Sequence, residues 1–282
     1  MIDLTKTWVI TGTSTGFGKS LAIYLAQKDD VNLVATARHT DQLAYLDQYD
    51  HGQILKQTLD VTKQDEIAAT VKAVNDKFGG LDVLINNAGL GYFGTFEESD
   101  RDAVRYMFDV NVWGLVDMTR AVLPTMRAQK SGIIVNFSSI AGLASFPTLS
   151  FYHGTKHAVE GITDSLAQEV ADQGIKFMLI EPSGFRTDWA GRSSQKAMPK
   201  IAAYQQFADS IEGSKTGAHH EAGDPDKAAA IIYDQVTNHA ADLPLHLPLG
   251  KFASDMAIAK YEKSLGEFKA ERDLSISADQ PE

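Results

Sequence analysis

The sequence predicts a doubly wound parallel α/β sheet with helices on both faces, three layers deep in the order α/β/α. Short apolar runs alternate with longer amphipathic stretches along most of the 282 residues. Such alternation calls for parallel strands joined by right-handed helical crossovers. A glycine cluster also falls between the first apolar run and the first amphipathic stretch, where sheets of this kind hold ligands.

In chain order, strands are read in "TWVIT" from Thr7, "VNLVAT" from Val31, "QILKQTLDV" from Gln53, "LDVLINN" from Leu81, "GIIVNFSS" from Gly132 and "KFMLIEP" from Lys176. Each is short and rich in branched apolar residues. "PLHLPL" from Pro244 reads as a late strand near the sheet edge, because its prolines cannot donate to a ladder. Helical patterns start at Lys19, Asp41 and Lys63, run unbroken from Arg101 to Gln129, and return from Tyr152 to Gln173. Residues 188–222 break the rhythm and are read as a substrate flap. Residues 1–270 are thus read as one catalytic domain, and the polar residues 271–282 as a flexible tail.

Composition excludes several chemistries. There is no cysteine, which removes disulfides, thiolate metal sites, iron–sulfur clusters and thiol catalysis. A net charge of −11 speaks against a nucleic-acid partner, since phosphate binding needs a basic face. The opening "MIDLTKTWVITG" has no basic-then-apolar signal, and no apolar run reaches bilayer length. The expectation is a cytoplasmic protein without a membrane partner.

The cluster "TGTSTGFG" holds Gly12, Gly16 and Gly18. Glycine weakens strands and helices, so three together need a reason. A strand-to-helix turn whose backbone N–H groups receive a phosphate supplies one. The pattern G-x-x-x-x-G-K-S/T is met at Gly18, Lys19 and Ser20 but fails at Thr13. The dinucleotide spacing G-x-x-x-G-x-G is met in full, and a ligand-free tight turn stays open as the bland reading. The second strand ends at Ala37 and Arg38, with no acid to bind the adenosine ribose. A guanidinium there suits a 2′-phosphate. NADP(H) is therefore favoured and NAD(H) remains possible, as does a merely solvated Arg38.

Tyr152 and Lys156 lie four apart on a predicted helix, hence on one face. An ammonium close to a phenol favours phenolate, and such a pair can exchange a proton with a carbonyl or alcohol oxygen. Thirteen residues upstream, Ser139 stands at the C-terminal end of a predicted strand, where ligands gather.

With "LDVT" at Leu59–Thr62, "NNAG" at Asn86–Gly89, "NVWG" around Asn111 and "EPSGFRT" at Glu181–Thr187, these motifs resemble the short-chain dehydrogenase/reductase family. The likeness runs from about Thr7 to Thr187 and looks closest to the branch of 17β-hydroxysteroid and retinol dehydrogenases. It implies a Rossmann-type domain that interconverts a carbonyl and an alcohol by hydride transfer. By that resemblance Tyr152 is the general acid/base, and Lys156 lowers its pKa and binds the nicotinamide ribose. Ser139 orients the substrate carbonyl, the spacing to Tyr152 favouring it over Ser138, and Asn111 holds a water in a proton relay. Gly12, Thr15, Gly16, Phe17 and Gly18 form the cofactor loop, and Asp60 and Val61 lie beside the adenine. Asn87, Ala88 and Gly89 follow the fourth strand. Pro182, Gly184 and Phe185 hold the nicotinamide, with Thr187 on its carboxamide. Thr15 departs from relatives that carry a basic residue there, so the NADP(H) reading rests on Arg38 and the missing acid.

Phe93, Phe146 and Trp189 are expected around an apolar substrate, with core packing as the alternative. His153 and His157 are placed on other helix faces than the catalytic pair. His219 and His220 sit in a loop without a carboxylate cluster, and no metal is expected. The family likeness also implies a homo-oligomer, dimer or tetramer, and a small-molecule substrate. A non-catalytic NADP(H)-binding redox sensor is the alternative from another class. Retention of the tyrosine, lysine, serine and asparagine together favours the enzyme.

Overall fold

In the computed structural model, residues 5–216 and 220–280 are described. The strands are β1 (Lys6–Ile10), β2 (Val31–Ala37), β3 (Ile54–Thr58), β4 (Val83–Asn86), β5 (Gly91–Phe93), β6 (Gly132–Phe137), β7 (Ile175–Pro182), β8 (Ser194–Lys196) and β9 (His246–Leu249). Seven of them form one sheet in the order β3-β2-β1-β4-β6-β7-β9, every neighbour parallel. The Pro-containing β9 takes the edge beside β7, where a missing N–H leaves no gap in a ladder. Winding reverses between β1 and β4, so the loops after β1, β4, β6 and β7 open into one crevice at the strands' C-terminal ends.

Helices α1 (Gly16–Ala26), α2 (Gln64–Phe78), α3 (Arg101–Phe108), α4 (Leu115–Gln129) and α5 (Ser150–Glu169) carry the crossovers. Further along come α6 (Ala208–Thr216), α7 (Pro225–Asn238), α8 (Lys251–Ala270) and α9 (Arg272–Ile276). On one sheet face Trp8, Ile10, Leu33 and Ile85 pack with Leu21 and Leu25 of α1 and Ile232 and Val236 of α7. On the other, Val9, Val34, Leu84 and Ile134 pack with Val74 of α2 and Met118 and Val122 of α4. Among the described residues no helix is long and apolar enough to cross a membrane.

Three local departures from the sequence reading have physical causes. The segment Thr40–Tyr49, read as an ordinary helix, is a 3-10 helix. Its buried Leu43 and Leu46 are three apart and share one side at three residues per turn. The long stretch from Arg101 is broken by a π turn at Asp109–Gly114. There Gly114 lies against Val61, where a Cβ would come within 2.6 Å of its side chain. Thirdly, β5 and β8 make a separate two-stranded parallel ribbon that joins the start of the 188–222 segment to the loop after β4. The segment read as a tail carries the short, exposed helix α9.

Candidate active site

The turn from β1 into α1 is built around its glycines. Gly12 and Gly16 take the left-handed conformation, with φ of 70° and 57°. A Cβ on Gly12 would approach Ala88 Cα to 3.1 Å, and one on Gly18 would reach Gly12 O and Asn87 Nδ2 at 2.4 Å. The glycines thus let this loop lie directly on the Asn86–Gly89 segment. Asn87 Nδ2 donates to Thr11 O at 2.8 Å and Gly12 O at 2.9 Å. In return the Asn87 and Ala88 amides both donate to Thr11 Oγ1 at 3.0 Å. The Tyr45 hydroxyl clasps the loop from outside, donating to Thr13 O at 2.6 Å. No side chain caps the start of α1 and no acid stands in its first turn. Its leading N–H groups therefore point into the crevice as an anion-binding end.

Ser139 follows β6 and opens a short 3-10 turn, its Oγ accepting from Ala141 N at 3.1 Å. Its Oγ donates to Pro182 O at 3.4 Å, and the Ser139 hydroxyl stands beside the phenol of Tyr152. Tyr152 and Lys156 are buried on one face of α5, and the lysine Nζ donates to Phe137 O at 2.7 Å. That Nζ lies 5.7 Å from the centre of the Tyr152 ring. Burial pushes the Tyr152 phenol above its usual value, and the Ser139 hydroxyl draws it only partly back. The depressed phenol expected from the lysine is not found, because loss of water outweighs the effect of the Ser139 hydroxyl. Lys156 itself is brought down to about 8 by burial, offset in part by Glu160.

Asn111 sits in the π turn, buried. Its Nδ2 donates to Leu90 O at 2.8 Å and Thr155 Oγ1 at 3.1 Å, while its Oδ1 accepts from Leu90 N at 2.7 Å. Both amide protons are committed, so this side chain braces the loop after β4 against α5 and stands outside the cleft lining.

A cleft of about 390 Å³ runs from Arg38 across the glycine loop to Tyr152 and Trp189. It is lined by Gly12, Thr15, Gly16, Phe17, Arg38, Asp60, Val61, Asn87, Ala88 and Gly89 at one end. Ser139, Tyr152, Lys156, Pro182, Gly184, Phe185 and Thr187 line its middle, with Phe146 and Trp189 beyond. Gly18 lies beneath the loop rather than on the cleft wall. Phe93, expected in the substrate pocket, packs behind Trp189 at 5.5 Å between ring centres and does not line the cleft. Trp189 leans on Tyr152 at 4.8 Å. Arg38 is exposed near Asp60. Burial alone would raise the Asp60 carboxyl, but bonds from Thr62 and the charges of Lys63 and Arg38 hold it below its usual value.

Sequence reasoning missed Gln42, Leu90, Tyr106 and Leu149, which also line the cleft and carry no motif, and Ser14, which lies within the glycine motif but was not singled out. It also set His153 aside. That side chain is buried against the loop after Ser139: Phe146 N donates to its Nε2 at 2.8 Å, and its Nδ1 donates to Ala141 O at 2.8 Å. One nitrogen accepts and the other donates, so the ring is neutral, and burial lowers its pKa accordingly. Its adjacency to Tyr152 was the only signal. His219 lies outside the described residues.

Behind Lys156, Glu160, Glu181 and His246 bring ligand atoms within 4.8 Å of one another. His246 Nδ1 is 2.7 Å from Glu181 Oε1. Burial pushes Glu160 up to about 7 and Glu181 up to about 8. Unfolded carboxyls titrate near ~4.3, so between there and about pH 8 the folded chain holds the extra protons and loses stability as pH rises. The melting temperature is expected to fall from about pH 6 to 8.5, and Glu181→Gln to flatten that fall. An equal slope in wild type and variant would place its origin elsewhere.

The comparisons with known proteins agree with this geometry. A family model described as short chain dehydrogenase matches residues 6–198. Oxidoreductase BOA17 of Botryotinia fuckeliana is 37% identical over 279 residues, spanning 98% of this chain and 100% of its own length. A short-chain dehydrogenase from Streptomyces avermitilis has a TM-score of 0.88 at 34% identity, covering 98% of this chain and 99% of that one. ElxO with NADP bound has a TM-score of 0.72 at 29% identity, covering 87% of this chain and 97% of that one. Fold and site together define an α/β oxidoreductase. The chain belongs to the short-chain dehydrogenase/reductase family.

Proposed function

We propose that this protein uses NADP(H) to interconvert a ketone or aldehyde with the corresponding alcohol, on a moderately apolar substrate. The observation that carries this reading is the placing of Ser139, Tyr152 and Lys156 together on the cleft wall, with the glycine loop alongside. The residues fit a dinucleotide: a loop with no room for side chains and an uncapped helix start would hold a pyrophosphate, with Thr187 and Pro182–Gly184 toward the nicotinamide. A bound nicotinamide cofactor supplies or accepts the hydride. Tyr152, kept protonated by burial, gives its proton to the carbonyl oxygen in the reductive direction. Ser139 donates a hydrogen bond to the same oxygen, and Lys156 stabilises the phenolate left behind. Leu90, Tyr106, Phe146, Leu149 and Trp189 leave the substrate end mostly apolar. The test is NADPH consumption with carbonyls of increasing size; no turnover across the panel would sink the reading.

ElxO was solved with NADP bound, which supports the same cofactor here. Arg38 beside the adenosine end supplies the expected contact to a 2′-phosphate. A charge-assisted hydrogen bond is worth about 1.5–3 kcal/mol. Arg38→Ala should therefore weaken NADPH roughly 10–150-fold and leave NADH nearly unchanged. Titrations at low salt are preferred, since an exposed contact is screened. Equal weakening of both cofactors would remove Arg38 from the 2′-phosphate.

A further inference from the structure

Three elements meet in the cluster behind Lys156. Glu160 and Asp164 lie one turn apart on α5, Glu181 lies on β7, and His246 opens the edge strand β9. His246 Nδ1 stands 2.7 Å from Glu181 Oε1 and 3.6 Å from Glu160 Oε2. Its other ring nitrogen, Nε2, faces Asp164 Oδ1 at 3.5 Å. Glu181 is fully buried and Glu160 is 7% exposed. Both oxygens of Glu160 and Oε2 of Glu181 lack a hydrogen-bond partner among the described residues. The Ser138 hydroxyl, beside Glu160, serves at most one of these three atoms. Buried carboxylates are costly unless they are paired or coordinate a metal.

We propose that Glu160, Glu181 and His246 bind one divalent ion of the zinc type, which pins α5 to the edge of the sheet. Charge fits, since two carboxylates and a neutral imidazole carry −2. Donor type fits as well. Imidazole nitrogen and carboxylate oxygen are both ligands of Zn²⁺, whereas Ca²⁺ and Mg²⁺ take shells of oxygen. Spacing fits after a small adjustment. Bonds of about 2.0–2.2 Å in a tetrahedron set ligand atoms roughly 3.3–3.6 Å apart. The separations of 2.7 and 3.6 Å reach that range by a slight turn of the His246 ring, whose side chain is 42% exposed and free to move outward. Three protein ligands leave a fourth position for water. Asp164 stands where a carboxylate supports a metal-bound histidine: accepting from Nε2–H, it turns the Nδ1 lone pair toward the ion. Residues 160, 181 and 246 form no motif, which is why the sequence carries no sign of a metal.

Titration of the full chain with Zn²⁺, after treatment with a chelator and desalting, tests this. Competition with a chromophoric chelator should report one tight equivalent. Zn²⁺ at about 100 times its dissociation constant should raise the melting temperature by roughly 5–10 °C. Asp164→Asn should weaken Zn²⁺ about 10–100-fold, and His246→Ala at least as much. Both changes fall at half-exposed positions, and circular dichroism checks that the fold is kept. Failure to bind one equivalent, an unmoved melting temperature, or a Zn²⁺ affinity unchanged in His246→Ala would each overturn the site.

Discussion

Tyr152→Phe is expected to slow carbonyl reduction by roughly 10²–10⁴-fold, the usual worth of a positioned general acid, while NADPH binds as before. The change removes one oxygen and little else. The ring keeps its place against Trp189 at 4.8 Å. Lys156 keeps its bond to Phe137 O. Ser139 keeps its own place through the Ala141 amide and Pro182 O. Binding and chemistry should therefore separate cleanly: fluorescence titration reports an unchanged dissociation constant for NADPH, and single-turnover kinetics report the lost step. Near-normal turnover in the Phe protein would take Tyr152 out of the mechanism. Because burial holds the phenol above its usual value, wild-type reduction should not fall off through neutral pH for want of this proton.

The second large effect is expected at Gly18. A side chain there meets Gly12 O and Asn87 Nδ2 at 2.4 Å, the two ends of one hydrogen bond of 2.9 Å. Valine must force that clasp apart, and with it the contact between the glycine loop and the segment after β4. Overpacking of this kind costs typically 1–3 kcal/mol. If the strain falls on the cofactor-binding form of the loop, NADPH affinity drops about 5–150-fold. Circular dichroism and a melt distinguish this from unfolding. Gly161→Ala serves as a control, since nothing lies within 4 Å of a Cβ built there. A folded Gly18→Val protein with wild-type NADPH affinity would show that the loop does not hold the pyrophosphate.

Much of this architecture could be read from residues alone, for a physical reason. Strands of a parallel sheet are buried on both faces and read as unbroken apolar runs, as in "TWVI" and "GIIVNF". The glycine loop, Ser139, Tyr152 and Lys156 were legible because their chemistry needs particular residue types at fixed spacing. What escaped depends on depth and tertiary contact. The three-residue strands β5 and β8 have no pattern of their own and exist through each other. Asn111 was legible as a motif, but its commitment to Leu90 and Thr155 was not, since both partners come from other elements. Phe93 and Phe146 look alike in sequence, yet only the second faces the cleft. The direction of the Tyr152 shift was missed because spacing reveals a neighbouring lysine and says nothing about how little water surrounds the pair.

The two bonds of His153 have an evolutionary consequence. Ala141 and Phe146 are strapped to the same helix that carries Tyr152 and Lys156, and Ser139 follows through its bond to the Ala141 amide, so this flank of the cleft is inherited together with the chemistry. A lineage adapting to bulkier or differently shaped molecules has little freedom there, since any shift of Phe146 drags on the catalytic helix. Freedom lies across the cleft, where Trp189 is carried by a segment tied down through three-residue strands. Diversification among close relatives should accumulate around Trp189 and leave the His153 side nearly fixed, much as a lathe keeps its headstock while its tools are exchanged.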